Sequence, residues 1–288
     1  AAVSQAVRAL RAAGYDIDAV TNRGYCLRAR PDTLTAGDVL PYLPQARRAL
    51  VQCFAQIDST NSYLKAEAMS GAPDGLCAIA DRQTAGRGRL GRSFSSPAGV
   101  GLYLSYLLRP TLPEDRLMTV PALAAVAGAR AVRRAAGLDC GIKWPNDLVC
   151  AGRKVSGILT ELVPTQSGPA VVIGIGINVH EQTFSPDAAQ VAGYLDAWTD
   201  RPVSRGELAE ALLEELDGLE TLDGLREYRA ACLTLGRTVR LLRPDGTQQA
   251  EALGIDRDYG LIVRYGDGRE ETVRSGEVSV RGLYGYIE

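Results

Sequence analysis

At 288 residues the chain is long enough for two or three domains, and its 46% apolar and 23% charged residues are ordinary for a globular protein. A formal net charge of −2 excludes whole-chain basicity, so any nucleic-acid contact must come from a local patch. No apolar run reaches the length of a membrane span and no signal-peptide core is present, which predicts a cytoplasmic protein with no membrane partner.

Val3, Val7 and Leu10 fall on one face of a short helix ending near Gly14, with Ser4, Arg8 and Arg11 on another. A strand pair follows, turning at Asn22-Arg23-Gly24. Residues 1–30 hold five arginines and two aspartates, about +3 locally. One helix and one hairpin cannot close a core, so the segment reads as the end of a small domain that begins earlier. Residues 31–48 are linker-like, with a short helical piece around Asp38. From residue 49 the pattern predicts a strand over Leu50–Ile57, a helix capped by Asp58-Ser59-Thr60-Asn61 and running through Met69, and a strand over Leu76–Ala80. Beyond a Gly/Arg loop come a strand over Val100–Leu108 and an alanine-rich helix over Pro121–Ala136. Three strands within 139–163 and 170–179 follow, then a helix over Glu207–Ala231. From Gly236 short strands alternate with turns at Pro244-Asp245-Gly246, Tyr259-Gly260 and Gly266-Asp267-Gly268, the spacing of a small all-β barrel.

Only three lysines occur among the thirty-two cationic residues, and two of them, Lys143 and Lys154, lie in the stretch Lys143–Leu159 that opens with K-W-P-N-D. A lysine where arginine is habitual points to a compact charge rather than a planar fork. Upstream, Asp81–Arg92 packs four arginines and three glycines into a loop. Its glycines let the backbone approach phosphates and its arginines neutralise them, although a solvated basic loop is the plainer alternative. Asn146-Asp147 places a carboxylate at a turn near Lys143, suited to magnesium beside phosphates or to orienting a nucleophile, or to nothing beyond the turn. Lys154 and Gly157 have opposite parity, so a flat strand cannot show both on one face. Either Lys154 belongs to the preceding turn or a bulge intervenes. In Val171–Val179 the isoleucines share one face, while Gly174, Gly176 and Asn178 share the other. That bare face suits a flat ligand hydrogen-bonded by Asn178, or tight packing under a helix.

The six cysteines, Cys26, Cys53, Cys77, Cys140, Cys150 and Cys232, show neither zinc nor disulfide spacing and read as small buried hydrophobes in a reducing compartment. With a single histidine, His180, a histidine-based triad is not expected.

In order along the chain, D-S-T-N at 58–61, Q-T-A-G-R-G-R-L-G-R at 83–92, K-W-P-N-D at 143–147, R-K-V-S-G-I-L-T-E-L at 153–162 and G-I-G-I-N-V at 174–179 closely resemble the biotin protein ligases. G-E-V-S-V-R at 276–281 resembles that family's small C-terminal domain. The resemblance implies an α+β fold: a mixed-sheet catalytic domain of the biotin/lipoate ligase type over 49–235, an SH3-like β-barrel over 236–288, and a remnant winged helix over 1–30, comprising recognition helix and wing.

It also implies an activity: ATP and magnesium convert biotin to biotinoyl-AMP, and biotin then passes to a lysine of a biotin carboxyl carrier domain. On this resemblance Ser59, Thr60, Asn61, Gln83, Gly86, Arg87, Gly88, Arg89, Lys154 and Gly157 hold biotin. Arg89, Arg92, Phe94, Lys143, Asn146, Gly176 and Asn178 hold the nucleotide, and Asp147 stands near magnesium or the acceptor amine. Lys154, Arg89, Arg87 and Asp147 carry the catalysis. Phe94 replaces a tryptophan found in the family, and stacking is expected to survive. Two-function members also repress biotin genes, so DNA contact through residues 1–30 and a weak homodimer are further expectations. A lipoate–protein ligase and a DNA-binding repressor with biotinoyl-AMP as corepressor are the competing readings.

Overall fold

The computed structural model describes residues 2–12, 14–20, 23–29, 31–243, 246–274 and 277–280. Asn22, Pro244, Asp245, Gly276 and Arg281, which enter the turns and the C-terminal block read above, lie outside the described residues, as does 282–288.

Helix α1 (Ala2–Ala12) precedes the hairpin β1 (Asp16–Val20) and β2 (Gly24–Ala29). The helix is fastened to the hairpin by Arg11, whose guanidinium donates to the Ile17 carbonyl at 3.0 Å. The linker holds two one-turn helices, α2 (Ala36–Val39) and α3 (Gln45–Arg48). Asp38, buried in the first, accepts from Tyr15 Oη at 2.6 Å and from the hydroxyls of Thr33 and Thr35.

The central unit is a seven-stranded sheet. It contains β3 (Val51–Phe54), β4 (Cys77–Ala80), β5 (Gly101–Leu108), β6 (Gly141–Lys143), β7 (Asp147–Cys150), β8 (Arg153–Thr165) and β9 (Gly168–Asn178), in the order β3-β4-β5-β9-β8-β7-β6. Only β3 and β4 run parallel; every other pair is antiparallel. One face carries α4 (Thr60–Met69), whose N-cap Ser59 accepts from the Ser62 amide. The other is covered by α5 (Val120–Ala136), α7 (Arg205–Asp217) and α8 (Leu225–Ala231), with the short α6 (Pro186–Ala189) on the β9–α7 connection. Pro121 in its first turn and Gly137 as its left-handed cap, φ 69°, bound α5. β10 (Thr238–Arg243), β11 (Gly246–Ile255), β12 (Leu261–Tyr265), β13 (Glu270–Val273) and β14 (Glu277–Val280) form an antiparallel sheet in the order β13-β12-β11-β10-β14, the SH3-like unit.

Three expectations change. The 139–178 region holds four strands, because the Trp144–Asn146 turn separates β6 from β7. The single helix expected over Glu207–Ala231 is broken into α7, a 3-10 turn at Leu219–Thr221, and α8. Gly218 and Gly224 cap those pieces, and glycine is a poor helix interior residue. Cys26 is exposed rather than buried, whereas Cys140 and Cys150 are buried and free and meet at the end of the β6–β7 ladder with their thiols 2.6 Å apart. The parity conflict at Lys154 resolves as a bulge: Leu148 pairs with Ser156, but Val149 pairs with Lys154. Val155 is the extra residue, and the Lys154 ammonium comes within 3.5 Å of where a Gly157 side chain would start.

Candidate active site

A cleft of about 170 Å³ opens on the α4 face of the sheet. Its floor is β5, β8 and β9; its walls are the N-terminus of α4, the 83–96 loop and the β6–β7 hairpin.

One half is neutral and hydrogen-bonding. Gln83 Oε1 accepts from the Thr60 amide at 2.9 Å and from Thr60 Oγ1 at 3.1 Å, while Gln83 Nε2 donates to Ser96 Oγ at 2.9 Å. Ser105 Oγ lies 2.7 Å from Thr60 Oγ1 and 2.6 Å from Asn61 Oδ1. Asn61 Nδ2 donates to Glu161 at 2.9 Å. These buried polar groups are arranged so that each has a partner, as buried groups must be. The sequence reading missed Ser105 and Glu161, whose only local signal is a polar residue at a strand position otherwise apolar.

The other half is cationic. Arg87, Arg89, Arg92, Lys143 and Lys154 line it, and Asp147 is the one carboxylate doing so among the described residues. Lys154 Nζ stands 2.8 Å from Asp147 Oδ1, and Lys143 Nζ stands 3.9 Å from Oδ2. Arg89 donates to Asn146 Oδ1 at 2.9 Å, and Asn146 Nδ2 donates to the Ile158 carbonyl.

The arginine loop is a miniature hairpin. Gly88 N donates to Arg92 O at 2.7 Å and Phe94 N donates to Gly86 O at 2.9 Å, around a left-handed tip at Leu90, φ 55°, and Gly91, φ 74°. Its base is braced from below. Asp81 accepts from Gly99 N at 3.1 Å and from Arg205 at 2.7 Å, and the buried Arg205 also reaches Asp32 at 3.0 Å. Asp32 in turn meets His180, whose other ring nitrogen meets Asp196 at 2.7 Å.

The K-W-P-N-D hairpin is held from α8, the segment after it and the C-terminal unit. Trp144 Nε1 donates to the Tyr259 carbonyl at 2.9 Å, the Trp144 amide donates to Thr234 Oγ1 at 3.0 Å, and Tyr228 Oη donates to Pro145 O at 2.9 Å. The Trp144–Pro145 peptide is cis, and Trp144 is fixed by these partners.

Of the residues expected to hold ligand, all but two line the cleft. Gly86 packs behind the loop: an added Cβ would fall 2.4 Å from Phe94 O. Asn178, expected on the nucleotide edge, is buried beside the cleft with its Nδ2 donating to Gly193 O at 3.0 Å. The bare face of β9 is likewise occupied by side chains from this chain. Asn61 stands over Gly174 and the Phe94 ring over Gly176, which is why neither position has room for a Cβ. Arg11, expected on the helix face with Ser4 and Arg8, is exposed and also bonds the Ile17 carbonyl.

Among the described residues no group of three His, Cys, Asp or Glu side chains could hold a metal. A single carboxylate beside a cationic wall fits magnesium carried in by nucleotide phosphates, which asks for only one or two protein carboxylates. Asp147 is the residue that would hold it.

With that geometry in place the comparisons are specific. The sequence matches the Biotin/lipoate A/B protein ligase family over residues 53–178 and the Biotin protein ligase C terminal domain over 234–281. The chain is 32% identical over 280 residues to Bifunctional ligase/repressor BirA of Bacillus subtilis, covering 93% of this chain and 86% of the relative. It is 35% identical over 240 residues to Biotin--[acetyl-CoA-carboxylase] ligase of Mycobacterium tuberculosis, covering 78% and 86% respectively. Its structure superposes on biotin protein ligase from Aquifex aeolicus in complex with biotin and ATP with a TM-score of 0.70 at 30% identity, covering 80% of this chain and 98% of that one. Mixed sheet, two-sided cleft and C-terminal SH3-like unit define a ligase of the biotin/lipoate class. The chain belongs to the biotin protein ligase family.

Proposed function

We propose that this chain joins the biotin carboxylate to the α-phosphate of ATP, releasing pyrophosphate, and then transfers biotin from biotinoyl-AMP to the lysine amine of a biotin carboxyl carrier domain, releasing AMP. The observation that carries this reading is the Lys154–Asp147 pair, set where the neutral and cationic halves of the cleft meet. The neutral half, with Ser59, Thr60, Asn61 and Gln83, suits an uncharged hydrogen-bonding ring. Arg89, Arg92, Phe94, Lys143 and Asn146 suit a nucleotide. The reacting carboxylate and phosphate then fall at Lys154, whose compact ammonium can bond both. Asp147 is placed to accept the proton of an attacking amine or to hold magnesium.

The testing experiment incubates the protein with magnesium, ATP and either biotin or lipoate, and follows acyl-adenylate and labelling of a carrier domain. Biotinoyl-AMP and labelled carrier are expected; adenylate from lipoate alone overturns the reading.

A second role is supported by the same relatives. Matches bearing the name Bifunctional ligase/repressor BirA extend over 93% of this chain. Helix α1 with its hairpin is read as a recognition helix and wing, offering Arg8 and Arg23 to DNA. A mobility-shift titration with duplex from upstream of the chain's own gene, with and without biotinoyl-AMP, tests it; equal weak binding in both would refute it. A weak homodimer is read from the resemblance and from β8, whose residues 158–165 extend past β7 and pair only with β9 in the sheet. A concentration-independent monomer in sedimentation, with and without ligand, would refute that. The reading also places the protein in the cytoplasm, in keeping with cysteines that carry no secreted-type framework.

A further inference from the structure

Glu161 stands on β8, two residues beyond Leu159 on the cleft face, at the outer end of the neutral half. Three side chains, two from α4 and one from the arginine loop, converge on its carboxylate. Lys65 of α4 donates to Oε1 at 2.7 Å, Asn61 Nδ2 donates to Oε2 at 2.9 Å, and Arg87 of the arginine loop stands 3.9 Å from Oε1. Burial pushes this carboxyl up, but the hydrogen bonds from Lys65 and Asn61 and the charges of Lys65 and Arg87 outweigh it, leaving it below the usual glutamate range. It is therefore an anion at neutral pH.

An ionised carboxylate only accepts hydrogen bonds. Asn61 must consequently turn its amide nitrogen toward Glu161 and its oxygen inward, to Ser105 and over Gly174. That choice propagates along the cleft floor through Ser105, Thr60 and Gln83 to Ser96, at the far end of the arginine loop. The same carboxylate faces Arg87 on the near side of that loop. Both legs of the loop are thus referred to one anion that does not itself line the cleft.

We propose that Glu161 is the positioning residue of the neutral half: it sets the donor and acceptor pattern that Asn61 offers the ligand ring, and it latches Arg87 so that the loop closes over that ring. The assignment of the ring as biotin's rests on the function proposed above; the latch does not. A plain surface pair with Lys65 would leave loop and ring binding untouched, which separates the two roles.

Glu161→Gln keeps the shape and removes the charge. In ligand-free protein, amide exchange across 86–93 is expected to quicken by about two- to fivefold, the scale of one partly exposed ion pair. In the adenylation assay the KM for biotin should rise by about tenfold while the KM for ATP moves less than twofold. Arg87→Gln should quicken the same amides, and the double variant should do so no further than either alone. Unchanged exchange over 86–93, or additive effects in the double variant, would overturn the proposal. Should wild-type protein adenylate neither biotin nor lipoate, the functional reading falls while the exchange measurement still decides the latch. Should Glu161→Gln fail to fold, Arg87→Gln, on a half-exposed side chain, decides it alone: exchange equal to wild type overturns the latch.

Discussion

The Phe94 ring rests on the backbone of Gly176, so closely that a Cβ built on that glycine falls 2.5 Å from the ring. The arginine loop is therefore anchored at one end by an aromatic ring seated on a strand with no side chain there. Phe94 also meets Tyr103 edge-on, with centroids 6.3 Å apart. Gly176→Ala should expel the ring and cost about 1–3 kcal/mol by overpacking. In urea unfolding, Gly176→Ala combined with Phe94→Ala should be less destabilised than the sum of the single variants by about 0.5 kcal/mol or more. Strict additivity would mean the ring does not rest there in solution.

Lys154→Arg tests the choice of lysine. Lys154 reaches Asp147 at 2.8 Å from a bulge that turns it onto the Gly157 face. Arginine keeps the charge, but its longer planar head cannot sit as a point between carboxylate and phosphate. Biotin binding should weaken modestly, while single-turnover formation of biotinoyl-AMP should fall by on the order of a hundredfold, the scale of one preorganised contact. A near-wild-type rate would reduce Lys154 to an edge-strand lysine.

Trp144→Phe removes the indole donor to the Tyr259 carbonyl. The ring volume largely remains, but a buried acceptor loses its partner, at a cost of about 1–3 kcal/mol. The loss should also appear in catalysis, because the same hairpin carries Lys143, Asn146 and Asp147. Calorimetry and adenylation rate should fall together; a stability loss with unchanged rate would show that the C-terminal unit does not position the hairpin.

His180 gives the stability a pH dependence. Its hydrogen bond to Asp32 is the main influence raising its pKa above the ordinary 6.5; burial opposes this, and Asp196 and the two carboxylate charges add to it. A raised pKa means the folded state holds the proton more tightly, so this stabilisation is complete below about pH 6.5 and is lost as pH rises through the folded value. Asp32 acts in the opposite sense. Burial would raise it, but the His180 hydrogen bond and Arg205 hold it below its usual 3.8, so its contribution is lost only as pH falls through that lowered value. Chemical denaturation of the wild type should thus weaken from neutral toward alkaline pH, and His180→Asn should flatten that limb while lowering stability at pH 6. An unchanged alkaline limb in the variant would assign it to other groups.

The cleft's lining residues could be read from text because each block is a local chemical device. Asp58–Asn61 is a helix cap, 86–92 a glycine-relaxed cationic turn, and 174–178 a strand with one face bare. Even the bulge was foreshadowed, since Lys154 and Gly157 could not otherwise share a face. Other relationships join residues far apart in the chain. Glu161 meets Asn61 across 100 positions, Trp144 meets Tyr259 across 115, and Arg205 meets Asp81 across 124. Nothing local announces such pairs, because a buried polar group takes whichever partner the packing of strands and helices brings within about 3 Å. Asn178 shows the same limit in reverse. Its position on the bare face of β9 was legible, whereas its bond to Gly193 depends on the 191–193 turn being brought alongside through the bridge between Ala192 and Lys154. Sequence alone determined which groups the site contains and their order. Only the tertiary structure decided which of them line the cleft and which hold the others in place, since a buried polar group is stabilised by whichever partner the packing supplies.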